Sequence, residues 1–328
     1  PEAQQADWAY DFGSDERLQI YLTNALEKAV EEPPRLIGPT KIVAEEAQAA
    51  NEIKQETPIM VIVGNPPYAV SSANKGDHIE ALMDRYKAAV RDERNIQPLS
   101  DDYIKFIRFA HDRVERTGYG IIGFITNHSY LFGLIHRGMR EELLKTFDEI
   151  YVLNLHGNAL MGETAPDGGK DENVFDIRQG VAIALMVKTG GKEGFATVHH
   201  ADLWGRRENK YRVLNENDMQ TLDWELLKPV PPYFFFVPKD FSLQNEYEKS
   251  WSIQDVYPES ATGTGTGRDS TLVAFDPRPL RKLAEDITDP QIADKEITKR
   301  HSLKNTSGWD FFGRRESVLG TNLATDIR

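Results

Sequence analysis

The 328-residue sequence contains no cysteine. That rules out a disulfide framework, a thiolate metal site and any covalent chemistry that runs through a thiolate. Long hydrophobic runs are missing as well: no stretch approaches the roughly 18 to 20 uncharged apolar residues a membrane-spanning helix needs. Pro1 to Asp15 lack the basic start and apolar centre of a secretion signal, so a cytoplasmic protein with no membrane partner is expected. Positive charge is scarce. Against 52 Asp and Glu there are 39 Lys and Arg, a formal net charge of −13. A chain that gripped a polyanion unaided would more often carry the opposite excess, because Lys and Arg contacts to phosphate supply much of that affinity. No P-loop occurs either, which excludes ATP-driven helicase chemistry from these residues.

The apolar content of 40% is ordinary for a chain that buries a substantial core. The length suits one large α/β domain plus part of a second. Ile59 to Val63 is an apolar run between Pro58 and Gly64, which reads as a buried parallel strand. Helical spacing follows at 77–91 and at 101–116, where Tyr103, Ile104, Ile107, Ala110, His111 and Val114 share one face. Further apolar runs predict strands at 121–125, 150–155 and 180–187, with a short helix at 138–147 between them. Strands alternating with helices predict a mostly parallel sheet covered on both faces, and ligands of such sheets sit at the carboxyl ends of the strands.

Asn65-Pro66-Pro67-Tyr68 falls at such an end. Asn65 offers a side-chain carbonyl, and Pro66 a backbone carbonyl aimed by the fixed proline φ. Pro67 stiffens the turn, and Tyr68 adds a flat face on which a base can stack. Two acceptors beside an aromatic face suit a conjugated amine, whose nitrogen must become more tetrahedral before it can act as a nucleophile.

Val61 to Tyr68 resembles the catalytic motif of the amino-methyltransferases that modify adenine N6, and the later segments resemble their γ-type order. In particular the chain is similar, from about Arg17 to about Asp276, to the methyltransferase portion of large single-polypeptide restriction–modification enzymes. That resemblance implies a Rossmann-like methyltransferase sheet, S-adenosyl-L-methionine as cofactor and duplex DNA as substrate. It also implies fused or associated nuclease, helicase and target-recognition domains as partners. Asn65, Pro66, Pro67 and Tyr68 would be catalytic, with Asn65 and Asp102 against the cofactor. Phe175 would close the second face of a flipped adenine. Asp102 reads equally well as a helix cap. With no cysteine, methylation of a cytosine ring carbon is excluded, and Asn65 rather than serine favours adenine over cytosine N4.

Only 64 residues precede Asn65, and none form the glycine-rich cofactor loop that the resemblance implies upstream. The expectation is therefore the C-terminal part of the sheet over 1–195, a connecting segment over 196–250, and the start of a target-recognition region over 251–328. Thr262 to Gly267 could instead be that loop in a permuted enzyme; the polar segment before it argues against this. A non-catalytic DNA-binding or scaffolding fragment, or an amine transferase acting on cytosine N4, protein or RNA, remains open. The eight histidines show no metal spacing, and His199-His200 reads as a solvated strand end. Arg206-Arg207 and Arg314-Arg315 are candidate phosphate contacts, and Trp309 to Phe312 is a packing cluster.

Overall fold

The computed structural model describes residues 20–21, 23–28, 48–55, 57–257, 273–303 and 315. Asp11 to Asp15, the Thr262–Gly267 run and the Trp309–Phe312 cluster lie outside the described residues, so the permuted reading does too. The chain divides into two compact units, Pro1–Phe241 and Ser242–Arg328.

The first unit is built on a six-stranded sheet in the order β1-β2-β4-β3-β5-β6. The strands are β1 (Val61–Gly64), β2 (Gly120–Asn127), β3 (Glu149–His156), β4 (Val181–Lys188), β5 (Thr197–Asp202) and β6 (Glu225–Leu227). β1, β2, β3 and β5 point the same way, and β4 and β6 run against them. The fold is a mixed α/β sheet, with the reversed strand β4 wedged between β2 and β3.

Helices α1 (Asp77–Lys87), α2 (Asp102–Thr117) and α3 (Arg137–Thr146) supply the apolar cover. On α2 the predicted face is the buried one, with Ile104, Ile107, Ala110 and Val114 closing on Ile122, Val152 and Met186 of the sheet. Each large aliphatic side chain so buried contributes roughly 1.5–3 kcal/mol. His111 belongs to the same face because both ring nitrogens find partners, the Tyr86 hydroxyl at 2.8 Å and Thr146 Oγ1 at 2.7 Å. Gly118, at φ 87°, ends α2 in the left-handed conformation and donates to the Val114 carbonyl at 2.9 Å.

Three expectations need correction. β1 is not a buried strand. Among the described residues it pairs with β2 alone, and Val63 is 76% exposed. Nor does the core stop at 195: the chain returns through β5, helix α4 (Arg207–Glu216) and β6. The expected connecting segment also contributes Phe234 and Phe236 to the main core, because its aromatics find an apolar floor beside α3. Third, His200 is not solvated. It alternates inward on β5 and is buried, while His199 stacks on Tyr151 at 4.3 Å.

In the second unit, α5 (Pro277–Thr288) and α6 (Asp294–Arg300) are tied together by Asp286, which receives His301 Nε2 at 2.9 Å and pairs with Lys282 at 3.1 Å. Arg315 is buried here. It donates to the carbonyls of Ile287, Asp289 and Ile292 at 2.6–2.9 Å and pairs with Asp294, so its guanidinium is a structural tie and not a phosphate contact. No described helix is long and apolar enough to cross a membrane.

Candidate active site

The carboxyl ends of the four co-directional strands share one edge of the sheet, and a polar residue stands at each. Asn65 follows β1, His128 follows β2, His156 ends β3 and Asp202 ends β5. Asn65 is exposed, and its amide has no partner among the described residues. Pro66 is buried, which anchors the turn, and Pro67 is exposed.

Tyr68 is half-buried. Its ring meets Tyr103 edge-on at 5.7 Å and packs against both apolar clusters of the unit. The hydroxyl is buried with no partner among the described residues, and burial, helped by the Asp101 carboxylate, pushes its pKa up to about 12. Phe175 packs against the second of those clusters, formed by Leu153, Leu155, Val174, Val181 and Ala201. Thus the two aromatics singled out in the sequence, 107 positions apart, reach one apolar floor.

The acidic pair at the start of α2 holds the turn. Asp101 accepts from the Ala69 N–H at 2.7 Å, and the Asp102 N–H donates back to the Ala69 carbonyl at 3.3 Å. The Asp102 carboxylate takes the Ser72 hydroxyl at 2.5 Å and the Asn74 amide at 3.0 Å. Lys105, fully buried, reaches Ser72 Oγ, the Asn74 carbonyl and Glu80 Oε1 at 2.7 Å. Residues 69–74 are therefore latched onto α2 by a closed polar network. Asp102, expected against a cofactor, has one carboxylate oxygen, Oδ1, engaged by this latch. Its neighbour Asp101 is the residue that grips the turn after Tyr68.

A second network joins the ends of β2, β3 and β5. His128 Nδ1 faces Asn154 Oδ1 at 3.0 Å and its Nε2 faces the Asn158 amide at 3.1 Å. His156, at φ 53°, puts Nε2 on Asp202 at 2.7 Å and Nδ1 near Glu163 at 3.5 Å, with Trp204 stacked over its ring. A non-glycine residue in the left-handed region at a sheet's ligand edge is a place where strain accompanies function. His128, His156 and Glu163 bring ligand atoms within 4.8 Å of one another. Because both His128 nitrogens are taken by asparagines, a metal there would have to break that hydrogen bonding, and the geometry is that of a proton-linked network.

Burial lowers both imidazoles, yet the outcomes differ. For His156 the Asp202 and Glu163 carboxylates outweigh burial and raise the pKa above the usual 6.5, whereas for His128 burial prevails over Asn154 and lowers it. A side-chain NMR titration is expected to find His156 still protonated above pH 6.5 and His128 neutral below it. The His156 contribution to stability is fully present below that pH and is lost as pH rises through its raised midpoint. The reverse order of the two midpoints would overturn the assignment.

Sequence reasoning missed Asp101, His128, Asn154, His156 and Asp202. The available signal was a polar residue at the end of each apolar strand run, read together with the rule that ligands sit there.

Residues 14–159 match the family profile described as Eco57I restriction-modification methylase. No curated protein sequence matches the chain. Among solved structures it is similar to one titled "cryoEM structure DrdV-DNA complex", with 22% identity and a TM-score of 0.62 over 92% of this chain and 33% of that one. It is similar also to the ATP-dependent Type ISP restriction-modification enzyme LlaBIII bound to DNA, at 23% identity and a TM-score of 0.58, covering 90% and 21%. A nuclease-deletion mutant of the Type ISP enzyme LlaGI with a DNA substrate mimic gives 22%, 0.58, and coverage of 82% and 26%. At such identities the likeness is one of fold, and the chain spans about a third or less of each of these proteins. The profile match thus covers part of this chain, and the structural likeness over most of it is one of fold.

Proposed function

We propose that this chain transfers a methyl group to N6 of an adenine extruded from duplex DNA, as a module of a restriction–modification protein. The observation that carries the reading is the exposed, unpartnered Asn65 amide at the carboxyl end of β1, beside a turn latched to α2. In this reading the Asn65 and Pro66 carbonyls accept the two hydrogens of the amine, so that its lone pair turns out of the ring. Tyr68 stacks on one face of the base and Phe175 on the other, which helps offset the few kcal/mol needed to unstack it.

S-adenosylmethionine, when bound, supplies the electrophilic methyl carbon on a sulfonium. Of the two residues expected beside it, Asn65 presents a free amide and fits. Asp102 gives one carboxylate oxygen, Oδ1, to Ser72 and Asn74, which leaves Oδ2 for the cofactor. Asn65 and Pro66 would hold the amine nitrogen toward that carbon, and the surplus amine proton would pass to solvent. Asn65, an amide, orients that proton and does not remove it. Positioning and fixed dipoles then account for the catalysis.

DNA as partner, adjoining nuclease, helicase and target-recognition domains, a recognition region beginning near residue 251, and a cytoplasmic setting belong to the same proposal. The DNA partner is supported by the DNA complexes among the similar structures, and the adjoining domains by the small share of those proteins that this chain spans. The test incubates the intact polypeptide with duplex DNA and methyl-labelled S-adenosylmethionine, then digests the DNA to nucleosides for mass spectrometry. Label in N6-methyladenine is the expected result. Label in N4-methylcytosine would replace adenine by cytosine, and no label in DNA would overturn the reading.

A further inference from the structure

The segment that carries Phe175 has no place in the sheet. Between β3 and β4 the chain runs through residues 171–176 without a ladder of its own, yet the carbonyls of 172–175 are all held, and by one helix. Lys210 Nζ donates to the Glu172 carbonyl at 2.7 Å, and Arg207 Nε to that of Asn173 at 2.7 Å. The Tyr211 hydroxyl donates to the Val174 carbonyl at 2.5 Å, and an Arg207 terminal nitrogen to Phe175's at 2.8 Å. Four consecutive carbonyls are thus bound by three side chains at positions i, i+3 and i+4 of α4, the spacing that places residues on one helix face.

The other ends of these side chains are fixed too. Lys210 is fully buried, also reaching the Leu155 carbonyl and the Asp171 carboxylate at 2.7 Å each. Asp171 in turn accepts from the Gly157 and Gly205 N–H groups at 2.6 and 2.8 Å. Arg207 pairs with Asp176 at 2.7 Å. From within the segment, the Asn173 side chain accepts the Phe175 N–H at 2.8 Å and donates to the Gln179 carbonyl at 2.6 Å. The Phe175 backbone is therefore held at both its N–H and its carbonyl.

We propose that Arg207, Lys210 and Tyr211 are positioning residues: α4 splints the backbone of 172–175 so that Phe175 is already in place to receive an extruded base. The inference rests on the base-capture reading above and gives it a physical basis. An irregular segment without ladder bonds is ordinarily among the most mobile parts of a fold, and a stacking face on such a segment must be ordered when the base arrives, at the expense of affinity. Fixing the segment beforehand removes that penalty. The splint also reassigns Arg207, a candidate phosphate contact by sequence: two of its three guanidinium nitrogens point into the segment's carbonyls.

The test uses the intact polypeptide and a duplex with 2-aminopurine at the adenine found to be methylated, with Arg207→Lys, Arg207→Gln and Tyr211→Phe as variants. Loss of the stacking platform is expected to weaken capture of the fluorescent base roughly tenfold in all three. The salt dependence of DNA binding is expected to stay at the wild-type slope. Hydrogen exchange of the 172–176 amides should rise while the β2–β4 amides stay protected. Tyr211→Phe removes one oxygen and no charge, so it keeps the test open if either Arg207 variant fails to fold. Wild-type capture in both Arg207→Lys and Tyr211→Phe would overturn the splint. So would restoration by lysine together with a salt slope lowered by about one in Arg207→Gln, the signature of a phosphate contact. A wild-type protein that transfers no methyl group overturns the parent reading itself, and the splint's role in base capture falls with it.

Discussion

Asn65→Ala is expected to lower methyl transfer by roughly a hundredfold or more while leaving the fold intact. The size follows from removing one preorganised polar contact to the reacting group, which typically lowers turnover by about 10²–10³. That the fold survives follows from the site: the side chain is exposed, with no partner among the described residues, and such surface changes usually stay within about 0.5 kcal/mol. The turn is held instead by Pro66, by Asp101 on the Ala69 N–H and by Asp102 on Ser72 and Asn74. Single-turnover methylation on saturating DNA, with thermal melting alongside, separates the two effects. Near-normal turnover in a folded Asn65→Ala protein would remove Asn65 from the chemistry. A large drop in melting temperature would instead make it a structural residue of the turn. Tyr68→Phe supplies the contrast: its hydroxyl has no partner among the described residues, so the stacking face survives and turnover should stay near wild type.

That this edge could be found in the sequence at all reflects where local physics is decisive. Ile121 to Ile125, Ile150 to Leu155 and Val181 to Val187 are apolar runs between turn signals, and all three became central strands. The Asn-Pro-Pro-Tyr turn announces itself because two prolines leave the backbone little freedom. What stayed hidden depends on contacts distant in sequence. Thr197 to Asp202 carries two adjacent histidines in a short strand, and only pairing with β3 makes His200 an inward position. Pro229 to Pro238 looks like a linker until Phe236 is seen fully buried. Asp101 and Asp102 are neighbours whose roles differ by one residue of cap geometry, finer than spacing can resolve. The His156 network draws on three strand ends, and no local window contains it. In each case the missing information was a partner, not a propensity.

Arg140 is the clearest such case, and its removal carries the second large expected effect. It is fully buried, and its guanidinium has no carboxylate partner; carbonyls alone solvate it. Nε and one terminal nitrogen both donate to the Tyr233 carbonyl, at 2.9 and 2.6 Å, while the other terminal nitrogen reaches Tyr130 at 2.6 Å and Gly133 at 2.9 Å. Phe235 lies over the guanidinium at 5.3 Å. One side chain therefore ties the 229–238 strap, and with it Phe234 and Phe236, to the turn after β2. Burial, with Arg137 nearby, lowers its pKa to about 9, which still leaves the group charged near neutrality. Arg140→Met keeps the apolar stem but strands the carbonyls of Tyr130 and Tyr233, each worth about 1–3 kcal/mol if left unsatisfied, while that of Gly133 keeps the His136 N–H at 3.1 Å. Relief of the desolvated charge offsets part of that, and the Tyr233 carbonyl is only half-buried, so a net loss of about 2 kcal/mol is expected. Arg140→Lys should recover little, because a point charge cannot serve the strap and the turn together. Denaturant unfolding measures both through the midpoint at unchanged slope. If lysine restores the wild-type midpoint, charge alone holds the strap. If methionine shifts it by less than about 1 kcal/mol, the aromatic packing of Phe234 and Phe236 suffices, and the guanidinium fork is not what fastens the strap to the core.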